Sequence, residues 1–420
     1  MKRHIIGTVS AAALLLPGAA FAQDTIKVGI LVALEGAFAE GGADAVRNVE
    51  LALQQAGGMA GGKTIETVIA PTDTTPDTAV RQARRLIEQD GVDIILGPLS
   101  GSEGIAMRDY AKTIPDKTVI NGISGALETT WVDPAPNFFR FNLDGAQWGS
   151  GLGAYVVNEK GWNRVVTVAA DYSFGYTNFL GFAVDFCKSG GEIVEKFWVP
   201  LGSSDFGGVI AALPDDVDAI YLGMGGTDAI NFLNQFEQAG AETNLIGGSI
   251  MADATVLGSR GRAKEALIGT PTSGPLANDN PDEAWQTYLQ AYQEAFPENE
   301  RLPTPSLFGV GYYNATLAMI AGLNAVNGDM GEGQAALHEA LSSLSLDTPL
   351  GNVTLNENRQ ATGSVFVTEV VEGADGNLTS TFKARTDGVT QTLGMTAEEF
   401  TAMGLPSRDN PDCTALGGKG

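Results

Sequence analysis

From residue 26 to about residue 119, short β-branched runs alternate with segments whose apolar positions recur every three or four residues. Ile26, Val28, Ile30, Leu31 and Val32 form one such run, and residues 64–70 form another. Between and after them, residues 42–55 carry Ala45, Val46, Val49, Leu51, Ala52 and Leu53 at helical spacing, and residues 78–89 carry Ala79, Val80, Ala83, Leu86 and Ile87 on one face. Strand and helix repeating in this rhythm predict a parallel sheet covered by helices.

A second series begins after Phe139-Arg140-Phe141-Asn142. The pattern predicts a helix over 147–160, strands over 164–170 and 192–197 around a helix over 175–189, and strands over 219–223 and 245–248 around a helix over 227–239. The periodicity then loosens: helices are expected over 281–296, 307–325 and 330–344, and a late β-hairpin over 351–355 and 363–371. A chain of 420 residues exceeds what one core supports, so two lobes are expected. The fold class is α/β, two doubly wound parallel-sheet lobes joined by a multi-strand hinge. The expected division gives 24–143 plus 273–345 to lobe one, 144–272 plus 346–395 to lobe two, and 396–420 to a tail. Several crossings between lobes make a hinge that permits closure.

Two strands of the first series run into loops of small hydroxyl and glycine residues. Val92-Asp93-Ile94-Ile95-Leu96 opens into residues 97–104, with Ser100, Gly101 and Ser102 at its centre. Thr118-Val119-Ile120 opens into Asn121-Gly122-Ile123-Ser124-Gly125. The carboxyl ends of parallel strands are where open α/β sheets bind ligands, and small residues there let backbone N–H groups close on an anion. The same residues also serve ordinary chain reversal, so the loops alone do not decide.

The amino terminus changes the picture. Lys2-Arg3-His4 precedes an apolar run from Ile5 to Pro17, and Ala20-Phe21-Ala22 gives the small-x-small pattern of a secretory signal peptide, residues 1–22, cleaved near Ala22. No cysteine follows directly, so no lipid anchor is expected. Export puts Cys187 and Cys413 in an oxidising compartment, where they are a candidate disulfide tying the tail to lobe two, against the alternative of two buried thiols. The net charge of −25 includes only 25 basic residues, two of them in the leader. So acidic a chain argues against nucleic acid as a partner and opposes binding to anionic membranes.

Catalytic motifs are lacking. His338 is the only histidine after the leader and sits in an amphipathic helix, where an exposed or capping role is expected. There is no Gly-x-Ser-x-Gly elbow, no Walker loop and no Gly-x-Gly-x-x-Gly after the first strand. With one histidine and two distant cysteines a His/Cys metal set is not expected, and Asp215-Asp216-Val217-Asp218 reads as a solvated turn without EF-hand spacing. No metal, no cofactor and no enzymatic activity are expected. A periplasmic hydrolase with an acidic dyad has no positive support.

From Ile26 to about Val371 the chain resembles the type I periplasmic solute-binding proteins of ABC importers, in the branched-chain amino acid (Leu/Ile/Val) receptor family. The likeness rests on residues 27–39, on Asp171-Tyr172-Ser173-Phe174-Gly175, on residues 200–206 and on Phe308-Gly309-Val310-Gly311-Tyr312-Tyr313, in that order. Glu35 and Ala37 depart from the family's usual serine and proline.

The resemblance implies a monomeric, periplasmic receptor that closes over a small solute and passes it to an inner-membrane ABC permease. It implies that Ser100-Gly101-Ser102 and Ile123-Ser124-Gly125 hold a ligand carboxylate, although Gly101 and Gly125 stand where a hydroxyl residue is frequent. It sets Ser249 where amino-acid-binding members carry a glutamate, with Asp253 and Glu35 nearby but unmatched. A serine cannot neutralise an ammonium group. Phe38, Tyr172, Phe174 and Met251 are the expected walls, with Met224 and Gly225 at the next strand end and Trp148 and Trp131 as further candidates. The implied ligand is a small organic carboxylate, aromatic or otherwise not an amino acid. The alternatives are a branched-chain or other amino acid, or a sensor subunit of the same fold.

Overall fold

The computed structural model describes residues 25–258, 266–373, 376–414 and 416. The expected leader lies outside the described residues. Six strands form the first sheet: β1 (Thr25–Ala33), β2 (Met59–Ala60), β3 (Lys63–Thr72), β4 (Ile94–Leu96), β5 (Thr118–Ile120) and β6 (Phe138–Phe139), hydrogen-bonded in the order β2-β3-β1-β4-β5-β6. Only β2 runs antiparallel. Within β1 only Thr25 and Lys27 are not buried, since helices cover both faces, and a doubly covered strand reads as a continuous apolar run. Helix Pro76–Glu88 approaches so closely that a Cβ at Gly29 would sit 2.6 Å from Leu86.

The second sheet comprises β7 (Arg164–Ala170), β8 (Glu192–Val199), β9 (Ala219–Gly223), β10 (Asn244–Gly247), β11 (Pro271–Gly274), β12 (Ser345–Thr348), β13 (Gly351–Leu355), β14 (Ala361–Glu372) and β15 (Leu378–Val389). Strands β7 to β11 pair in parallel and β14 joins β11 antiparallel. Helices Glu283–Ala295 and Leu307–Ala325 return to the first lobe, where Tyr288 and Tyr292 bond Asn48 and Asp44 of helix Ala39–Gln55. The chain thus passes between the sheets after β6, after β11 and before β12.

Several expectations are corrected. The helix expected over 147–160 is broken into Gly145–Trp148, Leu152–Tyr155 and a π turn, Val156–Lys160, with Gly151 at φ +84° between the first two. The break follows from packing: a Cβ at Gly149 would stand 2.5 Å from the backbone of Gly181. The helix expected over 330–344 is shortened to Ala335–Ser342, because Gly331 and Gly333 take positive φ before it. His338 is half-buried rather than exposed; its Nε2 meets Thr118 Oγ1 at 3.0 Å and its ring packs on Phe139. Burial lowers its pKa.

The crossings are tied by a buried polar network. Arg140, just past β6, has no exposed surface and donates to Ala126 O (2.7 Å), Thr130 Oγ1 (2.6 Å) and Gln360, while pairing with Asp144 at 3.4 Å. Burial pulls its guanidinium down to about 10 and pushes Asp144 upward. Gln147 and Gln360 extend the network to β14 and β15 backbone. Cys187 and Cys413 are disulfide-bonded, closing a loop of 226 residues. Arg408 pairs with Asp171, and Trp198 Nε1 donates to Arg408 O at 3.1 Å, so the tail is held against lobe two.

Candidate functional site

After β4 the chain turns through Gly97 to Leu99 and enters helix Gly101–Ala111 at Ser100. Glu103 closes back on this start, its Oε2 accepting from the Ser100 N–H at 3.0 Å, as in a capping box. The Ser100 hydroxyl is buried and makes no hydrogen bond of standard geometry. After β5, Asn121 Nδ2 donates to Ser124 O at 3.0 Å and fixes the second loop. From lobe two, β7 ends before Tyr172, which caps helix Ser173–Lys188.

These two helices, of 11 and 16 residues, meet amino end to amino end across the lobes. Ser102 Oγ lies 3.1 Å from Ser173 Oγ. Elsewhere along the same seam, Leu307 N donates to Asp253 Oδ2 at 2.6 Å, and Gly226 approaches Ala37 so closely that a Cβ there would be 2.1 Å from its carbonyl oxygen. The lobes are closed on each other.

Between them lies a narrow cleft with about 10 Å³ of free space. Of the expected residues it brings together Phe38, Ser100, Gly101, Ile123, Gly125, Tyr172 and Phe174, with Trp148. Leu99, Ile250, Leu307 and Phe308 complete the lining and were not expected. The last two begin the long returning helix, and Ser306, whose Oγ accepts from Gly309 N at 2.9 Å, was their one sequence signal as a cap.

The other expected residues stand beside the cleft rather than in its wall. Ser102 makes the lobe-to-lobe contact. Ser124 Oγ packs against Gly104 without a partner, and Met251 belongs to the core of the second lobe. Gly225 backs onto Ile250, and Ser249 is buried with an unpartnered hydroxyl. Met224 is core, and Trp131 packs on Phe400 of the tail. Glu35 is exposed, and Asp253 is committed to Thr255 and Leu307.

Phe174 organises the wall. A Cβ at Gly101 would meet Phe174 at 2.8 Å, and one at Gly125 or Gly145 would meet its ring at 2.9 Å. The ring also contacts Trp148 and Tyr172, with centroids 5.8 and 6.0 Å apart. The glycines that seemed to lack a hydroxyl therefore make room for Phe174, Gly125 for its ring and Gly101 for its Cβ and backbone.

No Lys, Arg, Asp or Glu is among the described residues lining the cleft. Neutral donors remain: the Ser100 hydroxyl, the Tyr172 phenol, and first-turn N–H groups, which have no acceptor inside their helices. Helix amino ends carry partial positive charge and favour an anion. Glu103, bonded to the Ser100 N–H and with no exposed surface, is a carboxyl that burial holds up to about 7. Burial also raises the Tyr172 phenol, aided by the charges of Asp228 and Glu103.

Two α/β lobes joined by three crossings and closed over an apolar, anion-favouring cleft define a hinged solute-binding protein. The chain belongs to the periplasmic binding protein family, whose sequence model matches residues 25–377, and it has the type I fold of that family's structures. It is 24% identical over 370 residues to the Leu/Ile/Val-binding protein homolog 6 of Brucella melitensis, covering 86% of this chain and 91% of that one. Among solved structures, it matches an ABC transporter solute-binding protein of Rhodopseudomonas palustris BisB5 in complex with 3,4-dihydroxybenzoic acid, at TM-score 0.79 and 25% identity over 88% of this chain and 99% of that one. A leucine-binding protein of Thermotoga maritima shares the fold at TM-score 0.73, with 18% identity over 86% of this chain and 98% of that one. The chain is a substrate-binding protein of the ABC transporter kind.

Proposed function

We propose that this protein captures a small organic carboxylate, aromatic or otherwise not an amino acid, by closing its two lobes. The observation that carries this reading is a cleft wall that pairs helix amino ends with aromatic side chains and, among the described residues, holds no acid. A carboxylate accepts from Ser100 and from N–H groups of residues 101–102, and a flat body packs between Phe38, Trp148 and Phe174. An α-ammonium group would find only hydroxyls, with Ser249 in place of an acid. The dihydroxybenzoate-bound relative supports the same ligand class.

In this reading the site is Phe38, Ser100, Gly101, Ser102, Ile123, Ser124, Gly125, Tyr172, Phe174, Gly225, Ser249 and Met251, those outside the wall acting through closure. The chain is exported after cleavage near Ala22, works as a periplasmic monomer divided into lobes as the sequence suggests, catalyses no reaction and delivers its ligand to an inner-membrane permease. Titration calorimetry tests it: benzoate-class acids bind and leucine and valine do not. Tight leucine or valine binding with no aromatic acid bound would favour the amino-acid reading that the Brucella relative's name suggests.

A further inference from the structure

Behind the cleft, between the crossings, lies a second small cavity of about 30 Å³, room for a water-sized group. It shares Ile123, Trp148 and Leu307 with the cleft, so the two spaces adjoin. One wall is the returning helix: Leu307, Val310, Gly311 and Asn314 all line it, at the i, i+3, i+4 and i+7 positions of one helical face. Three of those positions are apolar or glycine. The fourth is an asparagine that is 3% exposed and whose Oδ1 has no hydrogen-bond partner.

Trp148 is the partition. The benzo edge of its indole faces the cleft, since a Cβ at Gly125 would lie 3.1 Å from Cζ3. Nε1 is on the opposite ring, 1% exposed as a residue and also without a partner. A buried indole N–H and a buried amide oxygen are each costly when left unpaired, and both residues line this one cavity, which calls for an occupant.

We propose that this hinge cavity is a second subsite, which takes a hydroxyl on the end of the ligand remote from its carboxylate. The assignment rests on the carboxylate reading of the cleft and extends it. A hydroxyl is the group that fits, because it accepts from Trp148 Nε1 and donates to Asn314 Oδ1 at once. A second carboxylate could accept from the indole but would repel the amide oxygen, and an ammonium could do only the reverse. The cavity lies among the crossings, so filling it also favours the closed arrangement of the lobes.

The experiment is calorimetry on the full mature chain with paired acids: benzoate and 4-hydroxybenzoate, phenylacetate and 4-hydroxyphenylacetate, cinnamate and 4-hydroxycinnamate. The three lengths sample the reach from cleft to hinge. In the wild type the hydroxyl improves affinity by about tenfold for at least one length, as two hydrogen bonds to buried partners should. Asn314→Leu, which matches the side chain in size and lies outside the cleft, abolishes that advantage and leaves the parent acid within about threefold. Should Asn314→Leu fail to fold, Gly363→Val serves instead. Gly363 lines the cavity, its added Cβ meets nothing closer than 3.6 Å, and it narrows the space for the hydroxylated member of that pair alone. If aromatic acids bind but no pair distinguishes hydroxyl from hydrogen, or the advantage survives both variants, the cavity holds only water and the subsite is refuted. If no aromatic acid binds the wild type, the cleft reading itself fails and the subsite with it.

Discussion

Glu103 is a buried carboxyl at the edge of the cleft whose proton is coupled to folding. Its carboxyl has no exposed surface, one oxygen accepts from Ser100 N–H, and burial, outweighing the lowering pull of Thr72 and of the Ser100 and Leu99 backbone, holds its pKa up to about 7 against an ordinary 4.5. The folded state therefore binds this proton more tightly than the unfolded chain does. As pH rises past 4.5 the unfolded carboxyl ionises first, so stability falls through the window from about 4.5 to about 7 and is flat above it. At about 1.4 kcal/mol per tenfold change in proton affinity, the full loss is on the order of 3 kcal/mol. Glu103→Gln keeps an acceptor for Ser100 N–H and removes the proton. Urea unfolding followed by circular dichroism, from about pH 4.5 to about pH 8, should show the wild type losing about 3 kcal/mol relative to the variant, with the change centred below pH 7. A difference that stays constant across that range, or that grows in the wild type's favour as pH rises, would refute the reasoning.

Four further outcomes follow from named contacts. Gly125→Ala sets a methyl 2.9 Å from the Phe174 ring and 3.1 Å from Trp148, an overpacking of about 1–3 kcal/mol; calorimetry should show ligand affinity falling about tenfold or more, with Gly125→Ala/Phe174→Leu recovering part of it, and strictly additive losses would count against the contact. Ser102→Ala and Ser173→Ala each remove the 3.1 Å hydroxyl bridge between lobes, so each should weaken binding a few-fold, the pair no more than either alone, and leave the melting temperature of the ligand-free protein unchanged. Reducing Cys187–Cys413, which closes 226 residues, should cost about 2–5 kcal/mol by thermal melting and leave affinity within about twofold, because neither cysteine touches the cleft. Arg140→Met strands Asp144, fully buried at 3.4 Å, and should cost about 3–5 kcal/mol; a loss below 1 kcal/mol in urea unfolding would show the pair to be dispensable.

The strand-to-loop transitions after β4 and β5 were legible because a run of Ile, Val and Leu ending in Gly and Ser has one meaning in a parallel sheet. Other elements were not. Strand β15 reads Leu-Thr-Ser-Thr-Phe-Lys-Ala-Arg-Thr-Asp-Gly-Val, and most of it is exposed at the sheet edge, where charged residues are favoured and the apolar signal vanishes. Strand β11 is four residues, Pro271–Gly274, all buried yet mostly small and polar. The long helix Leu307–Ala325 was found at its true length because it is apolar all round, and that same uniformity hid which end meets the cleft. Gly101 and Gly125 carried a real signal with the wrong local meaning: the residue that needs their space is Phe174, in the other lobe. Ser100 and Gly101 could be found from one strand end, whereas Ser249 and Met251 looked like wall because loop position alone cannot tell a side chain facing the cleft from one turned into the core.

The way this cleft would hold an anion also explains why Glu103 is where it is. A buried Arg would bind a carboxylate strongly but would need several kcal/mol of desolvation repaid in the empty state. Two helix amino ends contribute up to about 2 kcal/mol each in partly buried geometry and need no counter-charge when the lobes open, which suits a receptor that must let its ligand go. Their pull is positive only while the carboxyl one turn behind Ser100 stays protonated. Once Glu103 ionises it accepts from the Ser100 N–H as an anion and opposes a second negative charge nearby. The proposed ligand and the Glu103 proton therefore bind cooperatively: affinity for an aromatic carboxylate should fall above about pH 7 in the wild type and stay level in Glu103→Gln. Calorimetry in two buffers of different ionisation enthalpy measures the coupling directly, because carboxylate binding near pH 7 must then take up a fraction of a proton. Binding that takes up no proton in the wild type would mean that the anion sits beyond the reach of Glu103, and that the helix ends alone set its affinity.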